Sequence, residues 1–171
     1  MTDVIKEGSL IPDMDLKAIV KEEIKDIKLS QLFADHSLMH PKDKKIVLFS
    51  VPGAFTPTCS AKHLPGYLTY AQAFKEKKVD QIVCLSVNDP FVMDAWGKNH
   101  NVGDKILMVG DPFLNFTKSI GAEVDKSGRG LGVRSNRYTM LIDNLKIVKL
   151  QEEKDTGSCE ISAAENFLKA L

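Results

Sequence analysis

Lys45-Ile46-Val47-Leu48-Phe49-Ser50-Val51-Pro52-Gly53-Ala54-Phe55-Thr56-Pro57-Thr58-Cys59-Ser60 is the stretch on which the reading of this chain turns. Lys45 to Ser50 is a short apolar run, the pattern of a buried strand. Two prolines and a glycine interrupt it, and a helical pattern opens at Cys59. In open α/β sheets, sites form where the C-terminal ends of strands pass through loops into helices. Cys59 therefore falls in the first turn of a helix. Free backbone N–H groups and the positive end of the helix dipole favour an anionic sulfur there, and the thiolate is the reactive form of cysteine. Thr56, three residues earlier, can set its hydroxyl beside that sulfur. Pro52 and Pro57 stiffen the loop that carries both.

Outward from this stretch, strands and helices alternate. Gln81 to Val87 and the weaker Lys105 to Val109 read as strands. Arg137 to Asp143 reads as another, with Leu145 to Leu150 as its hairpin partner across Asp143-Asn144. Residues 59 to 78 form a helical pattern with a break expected at Leu64-Pro65-Gly66. Asp89-Pro90 opens a helix running to about His100, with Asp as cap and Pro in the first turn. Residues 113 to 119 form a third. Ser162 to Leu171 closes the chain, with Ser162 and Glu165 spaced as a capping box. Before residue 40 we expect a strand pair around 16–20 and 24–28, then a short helix near 30–34. The order predicts an α/β domain spanning 1–171, with a central mixed sheet flanked by helices.

Composition narrows the function. The 171 residues are 43% hydrophobic and 27% charged, an ordinary globular balance. Lys+Arg and Asp+Glu are both 23, so there is no electrostatic case for nucleic acid or an anionic membrane as partner. The basic run Lys42, Lys44, Lys45 reads as a solvated loop. No apolar stretch approaches the roughly 18 residues of a membrane span. The N-terminus has neither a signal peptide's apolar core nor a transit peptide's character; a cytoplasmic protein is expected, with an organelle address left open if a leader was trimmed. The three cysteines, 59, 84 and 159, form no Cys-x-x-Cys and no cluster with histidine. They suggest thiols in a reducing compartment and no zinc site. Gly128 to Gly132 lacks the context of a nucleotide loop, and no cofactor or metal is expected. His63 reads as structural or surface, and Phe91, Trp96 and Phe113 as core or interface.

A nucleophilic cysteine of this kind needs a cation. Arginine suits, being always charged and presenting a planar fork of donors. Gly132-Val133-Arg134-Ser135-Asn136-Arg137-Tyr138 offers two. Arg137 opens a strand and is held by a rigid element; Arg134 sits in the approaching loop.

The motifs then add up to a resemblance. Pro52 to Ser60, His63-x-Pro65-Gly66, Cys84 to Met93, Ala95-Trp96-Gly97 and Gly130 to Tyr138 resemble a type II peroxiredoxin, of the peroxiredoxin-5 group, closest to its plant-type members. The likeness covers nearly the whole chain, including Ser162 to Glu165. It implies a thioredoxin-like fold and commonly a homodimer. It implies a thiol peroxidase for hydrogen peroxide and alkyl hydroperoxides, serving antioxidant defence. It gives Cys59 as the peroxidatic cysteine, Thr56 as its hydroxyl partner, Pro52 as its shield and Arg137 as the activating arginine. The reductant would be glutathione with glutaredoxin, or thioredoxin.

Cys84 and Cys159 are the candidate resolving cysteines. Plant-type members carry a cysteine at the place of Cys84, yet mid-strand cysteines are normally core, and a disulfide needs Cα atoms within about 7 Å. Cys159 lies near, not at, the tail position of the animal-type resolving cysteine and reads as an exposed spectator. A redox relay, passing oxidation from Cys59 to a partner protein, is the alternative function. A thioredoxin-type disulfide reductase is disfavoured without Cys-x-x-Cys.

Overall fold

The computed structural model describes residues 5–34 and 45–171; Lys42 and Lys44 of the basic run lie outside them. In chain order the first elements are β1 (Leu16–Val20), β2 (Glu23–Ile27), α1 (Leu29–Ala34) and β3 (Lys45–Val51). A π-helical turn (Cys59–His63) leads into α2 (Leu64–Thr69) and α3 (Ala71–Glu76), followed by β4 (Val79–Ser86), α4 (Pro90–Asn99) and β5 (Leu107–Gly110). Then come α5 (Asn115–Ser119), β6 (Glu123–Asp125), β7 (Val133–Ser135), β8 (Tyr138–Asp143), β9 (Lys146–Glu152) and α6 (Ala164–Ala170).

β3 sits inside a seven-stranded mixed sheet of order β2-β1-β5-β4-β3-β8-β9. It pairs parallel with β4 and antiparallel with β8. Every residue of β3 after Lys45 is buried, because both faces of the sheet are covered. Val47, Phe49 and Val51 join one core with Tyr67, Phe74, Trp96 and Phe167 of the helices. Ile46 and Leu48 join the other with Leu16, Leu29, Phe116 and Met140. The period of two along one strand thus feeds two cores. Among the described residues, no helix is long and apolar enough to cross a membrane.

Three local expectations are corrected. The hairpin turn lies one residue later than expected: Asp143 pairs with Lys146, leaving Asn144 and Leu145 in the turn at φ +48° and +68°. Both central residues are left-handed, as a two-residue hairpin requires, and Leu145 is held there by packing on the core. The helical stretch breaks at Tyr70 rather than at Pro65. Pro65 stands in the first turn of α2, where its missing N–H costs nothing. Ser162 does not cap α6; Ala163 stands at that position without a side-chain bond. The Ser162 hydroxyl donates instead to the buried Glu153 carboxylate, which would otherwise lack donors. The strands β6 and β7, which form a small separate pair, were not expected at all.

Candidate active site

The loop after β3 is shaped by close approaches. A Cβ on Gly53 would stand 3.0 Å from Thr56 Cγ2 and 3.3 Å from Arg134 Nη1, so any larger residue would crowd the folded-back Thr56. The Thr56 hydroxyl donates to the Gly53 carbonyl at 2.6 Å. The Ala54 N–H donates to Asn88 Oδ1 at 3.0 Å, tying the loop to the end of β4. Pro57 takes the first helical position, and Ser60 N–H donates to Thr56 O at 2.9 Å. Cys59 follows, inside the first turn and fully buried. From there the helix widens into the π turn, with Leu64 N–H reaching Cys59 O. Such turns cluster at functional sites because they re-aim side chains within a helix.

Arg137 meets Cys59 inside this frame. It immediately precedes β8 and is 1% exposed. Its Nη2 donates to Cys59 Sγ at 3.2 Å and to Thr156 O at 3.0 Å. Nε donates to the same carbonyl at 3.3 Å, and Nη1 to His63 Nδ1 at 3.0 Å. Among the described residues, no carboxylate lies within ion-pair distance of Arg137. His63 is fully buried; burial, then the Arg137 charge, push its pKa down to about 3. A neutral ring with its proton on Nε2 fits both partners: Nε2 donates to Ser162 O at 3.1 Å, and Nδ1 accepts from Arg137.

A cavity of about 320 Å³ opens beside this cluster, lined by Pro52, Thr56, Thr58, Arg129, Arg137 and Thr156 among others. Pro52 and Thr56 therefore line the cavity that reaches Arg137, the donor to Cys59 Sγ. Because the Thr56 proton is spent on Gly53, its oxygen offers lone pairs to a ligand. The cavity thus presents a forked cation and an acceptor to a small molecule, with the buried Cys59 thiol directly behind the cation. A larger cavity of about 520 Å³, between β1, α4 and β5, is lined by none of the three cysteines.

The other sequence candidates are placed elsewhere. Arg134 spends Nε on Leu131 O at 2.7 Å and faces the Gly53 loop, not the sulfur. Cys84 is fully buried in β4, opposite Phe49 on one side and Met108 on the other; burial pushes its thiol well above the usual range. Cys159, expected to be exposed, is half-buried, and burial raises its thiol while the Arg137 charge lowers it. All three cysteines are free. Sequence reasoning missed His63 as an Arg137 partner, as well as Glu153, Ser162 and Asn88. For His63 the sole signal was its place four residues after Cys59; the others have no local signature.

Comparison with known proteins gives the family. Residues 6–168 match the Redoxin family. Peroxiredoxin-2B of Arabidopsis thaliana is 48% identical over 167 residues, 98% of either chain. Reduced Prx3 of Vibrio vulnificus, solved in complex with hydrogen peroxide, superposes with a TM-score of 0.87 at 44% identity, over 98% of this chain and 99% of that one. Peroxiredoxin 5 of Alvinella pompejana gives a TM-score of 0.80 at 37% identity over 97% of each chain. With this thioredoxin-like fold and these relatives, the chain belongs to the redoxin family as a type II peroxiredoxin, a thiol-dependent peroxidase.

Proposed function

We propose that Cys59 is the peroxidatic cysteine and that it reduces hydrogen peroxide and alkyl hydroperoxides. The observation that carries this reading is the 3.2 Å bond from the buried Arg137 guanidinium to Cys59 Sγ. A charge-assisted bond of this kind suits an anionic sulfur. It also sets a donor where negative charge develops on the departing oxygen. The sulfur attacks the nearer peroxide oxygen, an S–O bond forms and the O–O bond breaks. Sulfur loses two electrons to become the sulfenic acid, and the departing oxygen takes up a proton and leaves as water or alcohol. Thr56 accepts from the peroxide hydroxyl, and Pro52 shields the reacting atoms. The hydrogen peroxide held by the Vibrio vulnificus relative supports the smallest substrate.

The sulfenic acid then condenses with an external thiol, losing water, and a second thiol reduces the mixed disulfide by exchange. Glutathione with glutaredoxin, or thioredoxin, fills that role. Cys84 stays a core thiol, and Cys159 a bystander. Three free cysteines suit a reducing compartment, the cytoplasm. Intact mass after one equivalent of hydrogen peroxide tests the cycle. A gain of about 16 Da on Cys59 is expected. A loss of about 2 Da would replace the one-cysteine cycle with an internal disulfide, and no rapid change would overturn the role of Cys59.

A further inference from the structure

Glu153 immediately follows β9 and is 5% exposed. Among the described residues no cation lies within ion-pair distance of it. Its Oε1 instead accepts three bonds: from Glu160 N–H at 2.5 Å, and from the N–H and hydroxyl of Ser162, each at 3.0 Å. Its own N–H donates to Arg137 O at 2.9 Å. A buried carboxylate is costly, and nothing about β9 requires one.

What this carboxylate holds leads to the site by two routes. With both donors of Ser162 taken up, the Ser162 carbonyl points one way only. It accepts from His63 Nε2 at 3.1 Å and from Thr139 Oγ1 at 2.8 Å, with Tyr67 Oη at 2.8 Å. That fixes the His63 ring, whose Nδ1 takes Arg137 Nη1. The second route is the loop between Glu153 and Ser162, closed on itself by the bonds to Glu160 and Ser162. Its Thr156 carbonyl receives two donors of the same guanidinium. One carboxylate therefore stands behind every bond that orients Arg137 apart from the one to sulfur. A carboxylate placed directly on the guanidinium would compete with an anionic sulfur for its donors; one placed two residues away orients without competing.

Accordingly, we propose that Glu153 is a positioning residue for the peroxidase reaction: through Ser162 and His63, and through the loop bearing Thr156, it fixes the Arg137 guanidinium against Cys59. The inference rests on the reading of Cys59 and Arg137 above. The experiment is a double-mutant cycle on the full-length protein. The kcat/KM for hydrogen peroxide is measured well below each variant's Tm for the native chain, Glu153→Ala, Arg137→Ala and the double variant. Glu153→Ala is expected to lose about 10- to 100-fold, as a displaced orienting group does. In the Arg137→Ala background it is expected to cost nothing more. Glu153→Gln, which keeps the Oε1 acceptor, is expected to restore most of the rate. Equal losses in both backgrounds, an unchanged rate beside a lowered Tm, or a Gln variant as poor as Ala would each overturn the proposal. If Glu153→Ala does not fold, Glu153→Asp, which withdraws the carboxylate by one methylene, enters the same cycle. An Arg137→Ala protein with native rate would instead overturn the role of Arg137 itself.

Discussion

Arg137 is a buried cation whose partners are a histidine ring, a backbone carbonyl and a thiol. Burying a guanidinium without a carboxylate is expensive, and its donors are spent on these three partners. Arg137→Ala should therefore lower kcat/KM by about 10²- to 10³-fold, on the order of 2–4 kcal/mol, as removal of a single oxyanion donor does. Arg134→Ala should change it little, its Nε being spent on Leu131. Steady-state kinetics on the two variants checks this, and the reverse order would mean that the wrong arginine has been chosen. His63 adds a pH dependence to stability. The folded ring takes a proton only near pH 3, whereas the unfolded one does so near 6.5. Between those values the unfolded state binds the extra proton. Stability from His63 is thus fully present above pH 6.5 and is lost as pH falls toward 3, by up to about 1.4 kcal/mol per pH unit. Urea unfolding across that range should show a shallower acid limb for His63→Gln than for the native chain; parallel limbs would refute it.

Among the elements, the helix that begins at Pro57 shows how local and distant forces divide the work. Pro57 at its first position and the Thr56 carbonyl set where it starts, two residues before the start at Cys59 expected from the sequence, because a proline without an N–H fits the first helical position. The π turn that follows is not plain in the sequence, because it answers to packing: His63 must reach Arg137 while Tyr67, one turn on, stacks on Phe49 at 4.2 Å. β4 makes the opposite case. Ile82-Val83-Cys84-Leu85 reads as interior and is interior. Burial keeps Cys84 a thiol, and a thiol is a poor nucleophile toward a sulfenic acid. Cys84→Ser should thus leave the peroxide-dependent mass change on Cys59 intact. It should lower unfolding free energy by about 1–3 kcal/mol, the cost of a hydroxyl in an apolar site. A variant of native stability that no longer reacts at Cys59 would contradict this.

Assembly concerns the sheet as a unit. Phe55, Phe91 and Phe113 follow the C-terminal ends of β3, β4 and β5, three adjacent parallel strands, and are 53%, 60% and 75% exposed. Three exposed phenylalanines at one end of a sheet are more apolar surface than a solitary protein usually leaves bare. A second copy of the chain would be the occupant in the homodimer that the family resemblance implies. Sedimentation should show a dimer for the native protein and a monomer for Phe91→Glu/Phe113→Glu; a native monomer would refute the homodimer. The sheet's outer edges expose a single large apolar side chain apiece among the described residues, Ile24 on β2 and Val148 on β9. β2 carries exposed Glu23, Lys25 and Asp26, and the start of β9 is bonded to the N-terminal segment through Ile147 with Gly8 and Ser9, both ordinary protections against edge pairing.

The strand, the proline-stiffened loop and the helix start around Cys59 were legible because each rests on neighbours within a few residues: apolar runs, fixed φ at proline, free N–H groups at a helix start. The motif Arg137-Tyr138 was legible as a strand beginning with a cation. How that cation is held was not. His63, Thr156, Ser162 and Glu153 lie up to 99 positions from their partners, and a hydrogen bond between such residues leaves no periodic trace in the chain. The same reason explains the cap that Ser162 does not make and the burial of Cys159. A local motif offers a side chain one partner, and folding supplies a buried carboxylate that binds it better. Sequence offered Cys59 as the candidate nucleophile and Arg137 as its candidate cation; long-range packing decided their geometry, because burial and orientation are properties of groups brought together only when the sheet and helices close.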